Sequence, residues 1–186
     1  MSSSRPYHHG DLGTALVAAA VEAIEETGAA DMSLREVARR AGVTHTAVGY
    51  HFGDKQGLLT AVATEGYRLL GEALDAARQS FLEMGVAYVR FALAHHAHFE
   101  VMYQPALYNA TDPALVAARQ KTAALLYGSR DATSDDVMAG VAAWSIVHGF
   151  ATLWLNGNIP PRLGDDPEAV ARAVAMQLRV PRHRRT

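Results

Sequence analysis

The stretch from Ser33 to Leu59, SLREVARRAGVTHTAVGYHFGDKQGLL, confines this part of the chain to two short helices joined by a tight glycine turn. Ser33 followed three residues later by Glu36 is a capping-box pattern, in which the serine oxygen takes a free backbone N–H and the glutamate reaches back to the cap. A helix therefore starts at Leu34. Leu34, Val37, Ala38 and Ala41 recur at helical spacing and form its apolar face, while Arg35, Arg39 and Arg40 point elsewhere. Gly42 supplies the left-handed conformation that ends the helix without a Cβ clash. Val43 plugs the gap between the helices, and Thr44 caps a second helix over His45 to about Phe52. A turn of about three residues is what a DNA-binding helix-turn-helix uses to set its second helix across the first.

On that second helix Val48 and Phe52 sit one turn apart and face inward, which leaves Thr44, His45, Thr46, Ala47, Gly49, Tyr50 and His51 for solvent or a partner. Short hydroxyl and methyl groups let a helix backbone approach a groove floor, where they hydrogen-bond base edges or touch thymine methyls. Lys55 opens the next helix behind the cap Asp54, placed for a phosphate. The plain alternative is a pair of short helices packed for structure alone.

Residues 12 to 60 resemble the DNA-binding domain of the TetR family of transcriptional regulators. Arg35, Ala38, Ala41, Gly42, Val43, Thr44, Val48, His51, Phe52, Lys55 and Leu58 fall at matching places in that family's pattern. The resemblance implies that Ser33 and Thr44 contact phosphates, that Arg35, His45, Thr46 and Ala47 face bases, and that Tyr50, His51 and Lys55 hold the backbone. One departure is Gly49, where the family usually has tyrosine; Tyr50 follows directly. Glycine there removes a phosphate contact and costs roughly 1 kcal/mol of helix propensity relative to alanine.

Net charge speaks against nucleic acid, since the formal total is −2. Local placement outweighs the sum if Arg5, Arg35, Arg39, Arg40 and Lys55 share one side while Glu22, Glu25, Glu26 and Asp31 stay on the first helix. The cationic tail, Arg179, Arg182, His183, Arg184 and Arg185, reads as a solvated end, and the stretch Arg5 to His9 as either a minor-groove arm or a frayed terminus. Cysteine is absent, which rules out disulfides and thiolate metal sites. The opening MSSSRPYHHG lacks an apolar signal region and no apolar run is expected to reach the roughly 18 residues of a membrane span, so a cytoplasmic location and no membrane partner are expected.

The rest reads as helix after helix without period-2 alternation, so an all-α fold of about nine helices is expected. Residues 1–57 form the arm and reading domain, and 58–186 a helical ligand-binding and dimerisation bundle. A first helix runs from about Leu12 to Thr27 and ends at Gly28, burying Leu16, Ala19, Ala20, Ala23 and Ile24. Later helices are expected over Asp54 to Ala77, Ser80 to His96, His98 to Tyr103, Pro113 to Tyr127, Ser134 to Leu155 with Ser134 or Asp135 as cap, and Pro167 to Leu178 behind Asp166.

The segment WSIVHGFATLWLNG carries a second resemblance, to a TetR subgroup named for a Trp, His, Gly signature, through Trp144, His148 and Gly149. In that family the last two helices of each subunit form a four-helix dimer interface, which implicates the helices holding Trp144 and Val170 in a homodimer. Tyr88, Phe91, Phe99, Met102, Tyr103, Trp144 and His148 are candidate walls of an effector cavity, against the plain reading in which aromatics at helical spacing simply pack. His95, His96 and His98 invite a metal, with His95 and His98 on one helix face and Glu100 near, but no second cluster of clear spacing accompanies them. No metal, no cofactor and no catalytic set is expected. The carboxylates fall on caps and exposed faces, so a ligand-responsive, DNA-binding repressor with an operator and a small apolar effector as partners is favoured over an all-α enzyme or carrier.

Overall fold

The computed structural model describes residues 9–128 and 131–177, and these form nine α-helices with no strand among them. They are α1 (His9–Asp31), α2 (Leu34–Arg40), α3 (His45–Phe52), α4 (Lys55–Ala76), α5 (Phe81–Ala94), α6 (His96–Met102), α7 (Pro113–Tyr127), α8 (Ser134–Leu155) and α9 (Pro167–Met176). Short 3₁₀ turns lie at Pro105–Leu107 and Pro161–Leu163. The fold is all-α, as the missing alternation predicts. The arm from Arg5 to His8 and the tail cations Arg179, Arg182, His183, Arg184 and Arg185 lie outside the described residues.

Contacts divide the chain into two compact units, residues up to 66 with 96–116, and residues 67–95 with those from 117 onward. In the first unit α1 packs on α2 and α6, and α2 on α3. The α1 stripe of Leu16, Ala19, Ala20, Ala23 and Ile24 is buried, as are Val37 and Ala38 of α2 and Val48 of α3. Gly28 departs from helical geometry at φ 80°, ψ 158°, so the helix is interrupted where the sequence predicts its end, but one further turn follows. Gly42 takes φ 67° in the α2–α3 turn. Ser33 Oγ accepts from Glu36 N at 3.2 Å and Thr44 Oγ1 from Ala47 N at 3.2 Å, so both expected caps form.

The second unit is built around α5, which packs on α8 and α9 and buries Val86, Ala87, Tyr88, Val89 and Phe91. Two ion pairs fix α9 along α5: Glu83 with Arg172, and Arg90 with Glu168 at 2.5 Å. Thr122 Oγ1 on α7 donates to the Tyr67 carbonyl of α4 at 2.8 Å. The cap of α8 differs from expectation by one residue: Thr133 and Asp136 exchange bonds in a full capping box, and Ser134 is the first helical residue. A threonine three residues before an aspartate completes the reciprocal pair that Ser134 cannot. Helix α5 stops at His95 (φ −127°, ψ 48°), so His95 and His98 do not share the helix face expected of them. Helix α8 is also long and apolar enough to cross a membrane by length and composition, with a mean hydropathy of 1.4 over its most apolar window, although Ser145 and His148 interrupt its apolar run.

Gly140 sets the approach of α8 to α7. A Cβ there would lie 2.5 Å from the Leu126 carbonyl oxygen and 2.8 Å from the Tyr127 Cα, and backbone cannot swing aside as a side-chain tip does. Gly140→Ala is expected to destabilise the protein by about 1–3 kcal/mol, the usual cost of forced overpacking, read as a lower midpoint in thermal or urea unfolding.

Candidate nucleic-acid interface and ligand cavity

Within the first unit, α3 is anchored by Val48, which is fully buried, and by half-buried Phe52. At roughly 100° per residue, the side of α3 opposite Val48 is held by Thr46 and Tyr50, one turn apart. Thr46 is exposed and Tyr50 is 88% exposed. Ser33, Arg35, Thr44, His45 and His51 are exposed as well, and Ala47 and Lys55 are half-buried, so all nine residues singled out from the sequence reach one reading unit's surface. Ser33 and Thr44 use a lone pair to cap a helix, which leaves each hydroxyl hydrogen free to donate outward. A Cβ on Gly13 of α1 would meet His51 Nε2 at 2.5 Å, so the imidazole is seated over that glycine and braces α3 on α1. A Cβ on Gly49 would meet nothing within 4 Å.

Among the described residues, most of the cations expected to share one side are engaged within the protein. Arg39 Nε and Nη2 donate to both oxygens of Glu36 at 2.8 and 2.6 Å. Arg40 is 17% exposed and is bound to Glu26 and Glu36. The Arg39 hydrogen bonds, helped by Arg40, hold the Glu36 carboxyl at about 2, and the Arg40 guanidinium lowers Glu26 below its ordinary value. Lys55 Nζ donates to the Ala30 carbonyl at 2.6 Å, using one of its three hydrogens. Arg35 is exposed and makes no ion pair among the described residues. These pairings were not readable from the sequence, because Glu26 and Arg40 meet only once α1 and α2 pack.

The second unit contains a cavity of about 310 Å³. Its walls are Leu74 of α4, Met84, Gly85 and Tyr88 of α5, Leu125 and Leu126 of α7, Ala143, Trp144 and Val147 of α8, and Met176 of α9, with no charged side chain among the lining residues. Tyr88 is fully buried. Trp144 Nε1 donates to Tyr88 Oη at 3.1 Å, and Tyr88 Oη lies 2.9 Å from His148 Nδ1. An indole N–H only donates, so the phenol oxygen accepts from Trp144, and it shares one hydrogen with His148 Nδ1. Burial pushes the His148 pKa down, which favours the neutral ring.

The other aromatics are distributed elsewhere. Phe91 is buried in a separate depression with Leu69 and Ala73, its ring 5.2 Å from that of His95. Phe99, Met102 and Tyr103 belong to the first unit, where Phe99 and Tyr103 meet edge to face at 5.0 Å and Met102 lies against Gly66. His98 Nε2 is 3.0 Å from Glu65 Oε2. Among the described residues no group of three His, Cys, Asp or Glu gathers as a metal-ligand set.

A family model described as bacterial regulatory proteins of the tetR family matches residues 16–62, and one described as a tetracyclin repressor-like C-terminal domain matches residues 81–178. The HTH-type transcriptional regulator BetI of Ectopseudomonas mendocina is 37% identical over 68 residues, which cover 37% of this chain and 35% of the relative. The match thus spans about a third of that relative's length. A solved structure of a protein of unknown function from Rhodococcus sp. RHA1 superposes with a TM-score of 0.74 at 31% identity, covering 94% of this chain and 96% of the other. The TetR family transcriptional regulator PfmR from Thermus thermophilus shares the fold, with a TM-score of 0.65 at 19% identity over 87% of this chain and 94% of its own.

Burial lowers His148 below its ordinary value of 6.5, so the unfolded chain takes up this proton first as pH falls. The stability tied to neutral His148 is complete above about pH 6.5 and is lost as pH drops through the lower folded value. The thermal midpoint of His148→Gln, which keeps a hydrogen-bonding group that does not titrate, is expected to fall less steeply between about pH 7 and 5 than that of the parent. Equal slopes would remove His148 as a source of acid sensitivity.

Proposed function

Because the chain belongs to the tetR family of bacterial regulatory proteins, we propose that it is a cytoplasmic, homodimeric repressor released from its operator by a small apolar molecule. The observation that carries the reading is the outward row of Thr46 and Tyr50 on a capped helix whose opposite side is sunk in the core. Residues 1–57 supply the reading function and 58–186 the effector and dimer functions. Each subunit lays α3 in a major groove, and half-sites lie about one or more helical turns, ~34 Å, apart. Thr46, Ala47 and His45 face base edges with Arg35; Ser33 and Thr44 donate hydroxyls to phosphates; Tyr50, His51 and Lys55 hold the backbone. Tyr50 stands in for the family's tyrosine at Gly49, where the open space around the glycine admits a close groove wall.

Helices α8 and α9 are the proposed dimer surface. Met138, Val141 and Leu153 on α8 are exposed, Met138 to 70%, as are Ala169 and Ala173 on α9, and apolar rows of this kind on adjoining helices call for a partner. Of the Trp144, His148, Gly149 signature, Trp144 lines the cavity and His148 reaches it through Tyr88. The effector reading accordingly rests on Tyr88 and Trp144 with His148 behind them, while Phe91, Phe99, Met102 and Tyr103 pack their own neighbours. Relatives named as regulators, together with walls that hold no charged group, support a binding role over catalysis.

Two measurements on a fragment selected from the source genome test this reading. In gel shifts, Thr46→Ala and Tyr50→Ala are each expected to weaken binding by about 1–3 kcal/mol, roughly fivefold to a hundredfold; binding equal to the parent's means that another surface reads the DNA. In a salt titration, Lys55→Ala, which removes a cation placed on the backbone, is expected to reduce the slope of log affinity against log salt by about 2 per dimer. Arg40→Ala leaves the slope unchanged, because its charge is spent on Glu26 and Glu36.

A further inference from the structure

The last turn of α1 is a separate piece. After the break at Gly28, Met32 N donates to Gly28 O at 3.1 Å and closes the turn. A helical turn that starts afresh has N–H groups with no acceptor behind them. Here Ala29 N–H donates to Glu100 Oε1 at 2.9 Å, a carboxylate on α6 that is 71 positions away in sequence. At the other end, the Ala30 carbonyl accepts from Lys55 Nζ at 2.6 Å, the first residue of α4. Acid at the N–H end and ammonium at the carbonyl end follow the sense of the helix dipole.

Helices α4 and α6 are themselves locked together. A Cβ on Gly66 would lie 2.6 Å from Met102 Sδ, and Glu65 meets His98, which is 5% exposed. By chain order, α4 runs on from Lys55 to Leu74, which lines the cavity, and α5, which carries Tyr88, leads into α6 through His95. Two of the three segments that join the units, α7 being the third, therefore end, in the first unit, on the same turn. That turn leads through buried Met32 directly to Ser33, the cap of α2.

We propose that the turn from Ala29 to Asp31 is a joint through which α4 and α6 set the pose of the helix-turn-helix, with Glu100 and Lys55 as its positioning residues. Withdrawal of Glu100 from Ala29 N–H frees the turn, and α2 and α3 lose the fixed angle that matches two half-sites. This rests on the reading of the protein as an operator-binding dimer.

The test uses the full chain, with Glu100→Ala, and Glu100→Gln, whose amide oxygen still accepts from Ala29 N–H. Affinity is measured for the selected fragment and for versions with the half-sites moved one base pair apart or together, alongside amide hydrogen exchange. The parent is expected to lose about tenfold or more on the shifted fragments. In Glu100→Ala the penalty shrinks to about threefold or less, the scale of one lost cap. Amides of α2 and α3 then exchange faster while those of α5 do not, and Glu100→Gln behaves as the parent. Parental spacing preference in Glu100→Ala, unchanged exchange in α2 and α3, or identical losses in both variants would overturn the joint. If the parent selects no fragment, the operator reading fails on its own, and faster exchange in α2 and α3 of Glu100→Ala alone still supports the joint.

Discussion

Helices of seven and eight residues lie below the length at which a peptide is helical by itself in water, so the reading surface exists only because α2 and α3 are held from outside. Three things hold them: the Ser33 and Thr44 caps, which satisfy N–H groups the short helices cannot; the burial of Val37 and Val48; and the bracing of His51 over Gly13. Every outward residue of α3 inherits its direction from that inward set. The chain can therefore vary Thr46 or Tyr50 with little effect on fold, whereas Val48 has no such freedom.

The same economy governs charge. The first unit's described cations are Arg35, Arg39, Arg40 and Lys55, and three of them are engaged with the protein's own carboxylates or carbonyls. Arg40 ties α2 to α1, so its charge serves the angle between helices more than the field outside. An interface of this composition leans on hydroxyl donors and backbone N–H groups, which position a duplex as arginine does but release fewer counterions. A total charge of −2 is thus no obstacle to DNA binding, because the acids that produce it include those that neutralise the internal arginines.

What was legible in the sequence was local. The caps at Ser33, Thr44 and Asp166, the left-handed Gly42, and the bounds Pro113–Tyr127 and Ser134–Leu155 all follow from residues within one turn of the feature. What was not legible was which faces meet. Aromatics at helical spacing announce that a face is buried without saying against what, so Phe99, Met102 and Tyr103 read like Tyr88 and Trp144 although they lie in the other unit. The Glu100 to Ala29 bond is out of reach for the same reason: nothing near Glu100 marks it as a cap for residues 71 positions earlier. The break at His95, with neither glycine nor proline, carries no local signal either.

The cavity shows how a polar group can sit in an apolar wall without inviting a polar ligand. Tyr88 spends one lone pair on Trp144 and is also hydrogen-bonded to His148, so the hydroxyl is satisfied from within the protein. A charged ligand would enter walls that offer it no counter-charge and would meet the full cost of desolvation. Affinity alone, however, does not make an effector. A molecule that fits the cavity equally well in both arrangements of the subunits moves no equilibrium, however tightly it binds. The property that matters is a difference in wall shape between the arrangements, and Leu74 on α4 and Tyr88 on α5 belong to two of the three segments that join the units, those that run on to Lys55 and Glu100. In the proposed regulator, a ligand that favours one setting of those two walls would act, through linkage, on the pose of α3, and the operator would act back on the cavity by the same factor.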